Sequence, residues 1–177
     1  PKEFALNEDK LYNINDVNVH SCTGTGIYCN YQRECRIDRC AVSSSKEGIR
    51  FDGQTTDSEI SNSTVHSCSE HGIVVQAGAN RFENTKVFYC GKVSTETAYN
   101  AQLSGWYILG KKCTLVNCQA QGCFGHGFEF KDNEVISCIG CYVDNNGVYE
   151  EDGEAQPLPV GQSPIYDGIY LNHVRRS

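Results

Sequence analysis

The chain has 177 residues, a formal net charge of −7 and eleven cysteines. That length suits one domain or a piece of one, the negative charge argues against a phosphate-binding surface and so against a nucleic-acid partner, and no apolar stretch approaches the ~20 residues of a membrane span. The cysteines are too sparse for a disulfide scaffold, and their odd number leaves at least one thiol unpaired. Pro1 opens the chain and no methionine occurs in it, which is the expectation for a processed chain or an internal segment.

Glycine, Asn, Ser and Thr are abundant, and no stretch sustains a helical period, so strands and turns are predicted. Residues 1–11 read as a lead-in or partial coil. A first coil follows, with Ile14, Val17, Val19, Cys22 and the corner Gly26-Ile27-Tyr28-Cys29. The second repeats it as Ile37, Cys40, Val42, Ser45 and Gly48-Ile49-Arg50-Phe51. The third has Ile60, Ser63, Val65, Cys68 and Gly72-Ile73-Val74-Val75. The fourth has Phe82, Thr85, Val87, Cys90 and, after an insertion at 91–104, Gly105-Trp106-Tyr107-Ile108. The fifth has Leu115, Cys118, Ala120, Cys123 and Gly127-Phe128-Glu129-Phe130. The sixth has Cys138, Cys141, Val143, Asn146 and, after an insertion at 147–167, Gly168-Ile169-Tyr170-Leu171. Residues 172–177 form the C-terminal end.

Five columns thus keep one register through about six repeats of 22–23 residues. So short a period leaves no room for a helix in each repeat. It predicts an all-β solenoid with three short strands per coil, like residues stacked on like at ~4.8 Å. Leucine is too sparse for a leucine-rich repeat.

The glycine-apolar corner and the stacked columns, over roughly residues 12–171, resemble the right-handed parallel β-helix proteins of the pectate-lyase-like superfamily. That group includes polysaccharide lyases, glycoside hydrolases, uronate epimerases and bacteriophage tailspikes. The resemblance implies a right-handed parallel β-helix solenoid and, because members are usually longer and capped, a fragment of a longer helix. It also implies a polysaccharide partner, an extracellular or virion-surface location and, for a fibre segment, a homotrimer. Gly125-His126-Gly127 resembles a motif of polygalacturonase-type hydrolases. The aspartates that accompany it there are missing at Glu70-His71-Gly72 and Leu103-Ser104-Gly105, which speaks against that mechanism. Lyases of the group pair calcium with an arginine base; Arg33, Arg36, Arg39 and Arg50 lie on early coils, far from the acidic stretch 150–154.

Both insertions leave one corner, flanking coil five. Two walls and a floor make a groove, and long loops on a rigid scaffold are where solenoids place their sites. The floor carries Phe124, His126 and an outward-facing Glu129. One wall carries Tyr99, Asn100 and Gln102; the other carries Tyr149, Glu150, Glu151, Asp152 and Glu154. Rings stack on apolar sugar faces and carboxylates move protons. Just before the corner glycines, Ser104, His126 and Asp167 stack on successive coils. The candidate catalytic set is therefore His126, Asp167, Glu129 and Glu150, with Tyr99, Tyr107, Tyr149, Asn100 and Gln102 as substrate-binding residues. No metal ligands and no cofactor are expected; calcium at the acidic stretch 150–154 is considered, but its spacing matches no defined loop.

Two cysteine columns, Cys22, Cys68, Cys90 and Cys123 and then Cys40, Cys118 and Cys141, read as a buried thiol ladder. Disulfides Cys118–Cys141 and Cys68–Cys90 are the alternative. Cys138 and Cys141 have the spacing of a redox or zinc pair, but no second matching pair accompanies them. The functional expectation is a protein that binds and cleaves a polysaccharide over coil five, of tailspike or secreted-enzyme type, acting as hydrolase or lyase. The alternative is a non-catalytic structural or receptor-binding segment of a viral fibre.

Overall fold

The computed structural model describes residues 11–91, 103–151, 154–157 and 168–172. They form twenty short strands and, among the described residues, no helix, so none long and apolar enough to cross a membrane. Coil one holds β1 (Asn13–Asn15), β2 (Asn18–His20) and β3 (Thr25–Asn30); coil two holds β4 (Arg36–Asp38), β5 (Ala41–Ser43) and β6 (Glu47–Asp52). Coil three holds β7 (Glu59–Ser61), β8 (Thr64–His66) and β9 (Ile73–Val75); coil four holds β10 (Arg81–Glu83), β11 (Lys86–Phe88) and β12 (Trp106–Ile108). Coil five holds β13 (Thr114–Val116), β14 (Gln119–Gln121) and β15 (Phe128–Lys131). Coil six holds β16 (Ser137–Ile139), β17 (Tyr142–Asp144) and, last, β20 (Ile169–Asn172). Inside its insertion, β18 (Val148–Glu151) and β19 (Glu154–Pro157) make an antiparallel hairpin that the repeat pattern does not foretell.

The first, second and third strands of the coils form three six-stranded parallel sheets, so five full turns separate the first strand of each sheet from the last. Residues stack as the columns predict. In the first sheet Ile14, Ile37, Ile60, Phe82, Leu115 and Cys138 are register partners. In the second, Val19, Val42, Val65, Val87, Ala120 and Val143 are. Between the first and last coils these columns are fully buried. Aromatics fill the middle of the core: Trp106 stacks on Phe128 at 5.6 Å, and its indole N–H donates to the Gln119 carbonyl at 3.0 Å.

Three strands close a coil only if the chain bends sharply between them without breaking the ladder. One residue at each bend takes a positive φ, as at Arg39 (51°), Asn62 (48°), Asn84 (48°) and Asn117 (52°). Their N–H groups still donate to the next coil, Arg39 to the Ser61 carbonyl at 3.2 Å and Asn117 to the Ile139 carbonyl at 2.8 Å. Asn tolerates this conformation because its short polar side chain bonds locally. Here those side chains form their own ladder, Asn84 to Asn62 at 3.2 Å and Asn117 to Asn84 at 3.3 Å. Beside the bends, buried hydroxyls accept backbone N–H groups that turn inward: Cys35 donates to Ser58 Oγ at 3.0 Å and Cys40 to Ser63 Oγ at 3.1 Å.

All eleven cysteines are free thiols. Cys68, Cys90, Cys118 and Cys123 are fully buried, as the ladder reading expects. Burial pushes the Cys123 thiol up to about 11, away from the reactive thiolate. Cys22 and Cys141, on the first and sixth coils, depart from the ladder expectation and are only half-buried, and Cys138 is exposed because its strand is the outermost of the first sheet. Cys138 shares a hydrogen bond with Cys141 that raises the Cys138 thiol pKa, and hydrogen bonds from Cys118 and Cys138 lower that of Cys141. Native-state alkylation should therefore be faster at this accessible pair than at Cys68, Cys90 and Cys123, read by mass spectrometry of the labelled peptides. Rapid labelling of all three buried thiols would contradict the register.

The corner glycines are a packing requirement. A Cβ at Gly48 would overlap Val65 Cγ1 and the Gly72 carbonyl oxygen of the next coil. Both belong to fixed neighbours, so overpacking is the expected result. Gly48→Ala should destabilise the fold by roughly 1–3 kcal/mol in urea denaturation.

Candidate functional site

Alternation along the third-sheet strands sends one row of side chains out of the solenoid. It runs Tyr28, Arg50, Val74, Tyr107, Glu129 and Tyr170, one per coil. A second row precedes the corner glycines: Thr25, Glu47, His71, Ser104 and His126. Gly48 N donates to the His71 carbonyl at 3.2 Å, Gly72 N to Ser104 at 3.3 Å and Gly105 N to His126 at 2.8 Å, which keeps consecutive members one coil apart.

Over coils one and two the face forms an open concavity of about 440 Å³, lined by Thr25, Tyr28, Glu47, Arg50 and Asp52. Arg50 holds it together. Its Nη1 donates to Glu47 Oε1 at 2.8 Å and its Nε to Asp52 Oδ2 at 3.1 Å. The Thr25 hydroxyl donates to Glu47 Oε2 at 2.9 Å, and the Tyr28 hydroxyl to Asp52 Oδ2 at 3.3 Å. Turned so that both of its ends are satisfied, the Gln76 amide donates to Asp52 Oδ1 and accepts from Arg50 Nη2 at 2.9 Å. Burial opposes the Arg50 charge, but Glu47 and Asp52 outweigh it and raise its pKa. The Tyr28 ring is 54% exposed and forms an apolar shelf at the rim.

Over coils three to six the face is more covered, with His71, Tyr107 and Tyr170 half-buried and their neighbours Val74, Ser104, His126 and Glu129 buried. Val74 and His126 are each 1% exposed and Glu129 2%. The Ser104 hydroxyl donates to Glu129 Oε2 at 2.6 Å. His71 Nδ1 lies against the Ser104 backbone, 2.8 Å from its N–H and 3.2 Å from its carbonyl oxygen. His71 stacks on Tyr107 at 4.7 Å and His126 on Tyr170 at 4.4 Å, each ring pair spanning neighbouring coils. Burial lowers the His71 pKa below its ordinary value, against the pull of the Ser104 backbone and of Glu129, Glu47 and Glu70.

The sequence-predicted residues divide accordingly. His126, Glu129 and Tyr107 lie together on this face, with Glu129 beneath the surface rather than on an open floor. Ser104 gives its proton to Glu129, not to His126, so no serine–histidine pair forms between them. Tyr99, Asn100, Gln102 and Asp167 lie outside the described residues. Tyr149 and Glu150 fall on β18, the first strand of the hairpin. The walls of the expected groove are therefore not described beyond that hairpin. The concavity at Tyr28, Glu47, Arg50 and Asp52 was not singled out from the sequence. Its signal is β6 itself, Glu47-Gly48-Ile49-Arg50-Phe51-Asp52, where an outward arginine has an acid on either side. Among the described residues, no group of three or more His, Cys, Asp or Glu side chains is arranged to hold a metal ion.

This architecture has a family. Residues 4–172 match the family described as the right handed beta helix region, and the chain belongs to it. No curated protein matches the chain. Among solved structures, the enzymatically active domain of bacteriophage CBA120 tailspike protein 2 superposes with a TM-score of 0.72 at 19% identity, over 93% of this chain and 22% of that one. The chain thus spans about a fifth of that structure's length, and at this identity the likeness is one of fold.

Because the folded state disfavours protonated His71, the unfolded state binds more protons below the ordinary histidine pKa of about 6.5. Stability attached to the neutral ring is complete above that value and is lost as pH falls through the window beneath it. Urea denaturation at pH 7.5 and pH 5.5 should show a smaller loss for His71→Gln than for the parent chain. Equal losses would show that His71 is not titrating in a buried site.

Proposed function

We propose that this chain is a carbohydrate-active segment of a β-helix protein, of tailspike or secreted polysaccharide-degrading type. It binds a polysaccharide along the outer face of the third sheet and cleaves it. The observation that carries this reading is the ladder of polar and aromatic side chains on that face. It runs from the concavity at Tyr28, Glu47, Arg50 and Asp52 to the Glu129–Ser104 bond and the His71–Tyr107 and His126–Tyr170 stacks. The tailspike neighbour, described as an enzymatically active domain, supports the same reading by analogy of fold.

Sugar cleavage needs a group that gives a proton to the leaving oxygen and a second that activates water or receives a proton. Glu129, bonded by Ser104 at Oε2, keeps Oε1 for a proton, and His126 stands on the same coil. Asp167, at the end of the coil-six insertion, and Glu150, on its hairpin, are the further candidates, with Tyr99, Tyr107, Tyr149, Asn100 and Gln102 as sugar contacts. The substrate reaches Glu129 only by displacing what covers it in this conformation. An extracellular or virion-surface location and a homotrimeric assembly accompany this reading.

The test is chain shortening of a panel of neutral and acidic polysaccharides, followed by size-exclusion chromatography with calcium and with chelator. Shortening is the expected result, and the product ends separate hydrolysis from elimination. Glu129→Gln should lower turnover by about 10²–10⁴-fold while leaving the melting temperature nearly unchanged, because Gln keeps an acceptor for Ser104. Unchanged turnover would remove Glu129 from the chemistry. Binding without shortening would leave a glycan-binding module. Neither effect would leave a structural fibre segment.

A further inference from the structure

We infer that the concavity over coils one and two is a subsite for an uncharged, hydroxyl-rich sugar unit, and that it discriminates against uronates. The inference rests on the polysaccharide reading above and names the substrate class at one end of the same face.

The carbohydrate classes differ mainly in charge, and the concavity's charges are already assigned. Arg50 is the one cation among its lining residues, against Glu47 and Asp52, so the lining carries a formal −1. Three of the five guanidinium N–H groups are already given to Glu47, Asp52 and Gln76, so a uronate carboxylate that takes one of them must exchange with a group already in place. That exchange strands a buried carboxylate: Glu47 is only 9% exposed. It would also place the uronate beside two like charges. A neutral sugar needs no exchange. Each carboxylate oxygen in the concavity accepts one or two hydrogen bonds and has lone-pair capacity left for a sugar hydroxyl. The carboxylates are held in place before any ligand arrives, so little ordering cost falls on binding.

Tyr28 supplies the apolar half of the contact. Its hydroxyl is anchored on Asp52, which fixes the ring while leaving its face open to stack on a sugar. Arg50 and Glu129 belong to one outward row, three coil steps apart. At ~4.8 Å per step they are roughly 14 Å apart along the axis. Only an oligosaccharide long enough to cover that distance engages both ends, so affinity should rise with chain length up to that span and then level off.

The experiment is affinity electrophoresis of the whole chain in gels containing a neutral polysaccharide or a uronic-acid polysaccharide, using bacterial surface polysaccharides of both classes. The parent chain should be retarded by a neutral member and not by the uronate class. Tyr28→Ala should weaken retardation roughly tenfold, and Tyr28→Phe, which keeps the ring, should stay within about twofold. Tyr28 is exposed, so both variants should melt with the parent. Equal retardation by uronates, or unchanged retardation in Tyr28→Ala, would overturn the subsite while leaving polysaccharide binding intact. Retardation of the parent by neither class would overturn the subsite together with the proposed function.

Discussion

Every level of this molecule depends on the in-register parallel pairing of each coil with the next. A strand of three residues has no stability of its own. It persists because its N–H and C=O groups are bonded to equivalent strands above and below, and because its inward residue sits between like residues. That constraint explains the insertions. The chain can leave at a corner between Cys90 and Gly105, but it must return in register, with Trp106 opposite Ile73 on one side and Phe128 on the other. It also explains the bends. Residues such as Arg39 and Asn117 accept an unfavourable φ because the alternative is a broken ladder in both neighbouring coils.

The same constraint organises the chemistry. Side chains that face out of a strand form rows at the coil spacing. Groups far apart in sequence therefore meet, as Ser104 meets Glu129 and His71 meets Tyr107. A row one coil long cannot make a pocket. Two adjacent rows can, as when Arg50 reaches sideways to Glu47 and Asp52 while Thr25 and Tyr28 reach up from the coil before. The two ends of the face differ in solvation. Over coils one and two the polar groups are bonded to one another and open to solvent. Over coils four and five Ser104, His126 and Glu129 are covered. A long ligand laid along the face would meet a preformed binding surface first and a closed one further on.

The cysteines show how little a residue type means without its place. Eleven thiols suggest redox or metal chemistry in an unfamiliar chain. In the solenoid most of them are small apolar groups filling stacked positions, interchangeable down a column with Ser45 or Asn146. Cys138 behaves differently because, among the described residues, a strand flanks it on one side only, although it occupies the same column as Ile37 and Phe82.

The sequence by itself determined the coils, their register, the inward columns and the placement of both insertions at one corner, because a repeat that buries like on like writes its period into composition. It also placed His126, Glu129 and Tyr107 on one face, since alternation and column position follow directly from that period. It did not determine which outward groups bond to each other. Ser104 could have faced His126, and only the packed structure turns its hydroxyl to Glu129. Nor did it mark the Tyr28, Glu47, Arg50 and Asp52 concavity, which depends on an arginine reaching across two rows and on a threonine and a tyrosine from the coil before. Inward positions are fixed by apolar burial, which has a period. Outward positions are fixed by hydrogen bonds and charge, which depend on side-chain reach and leave no period to read.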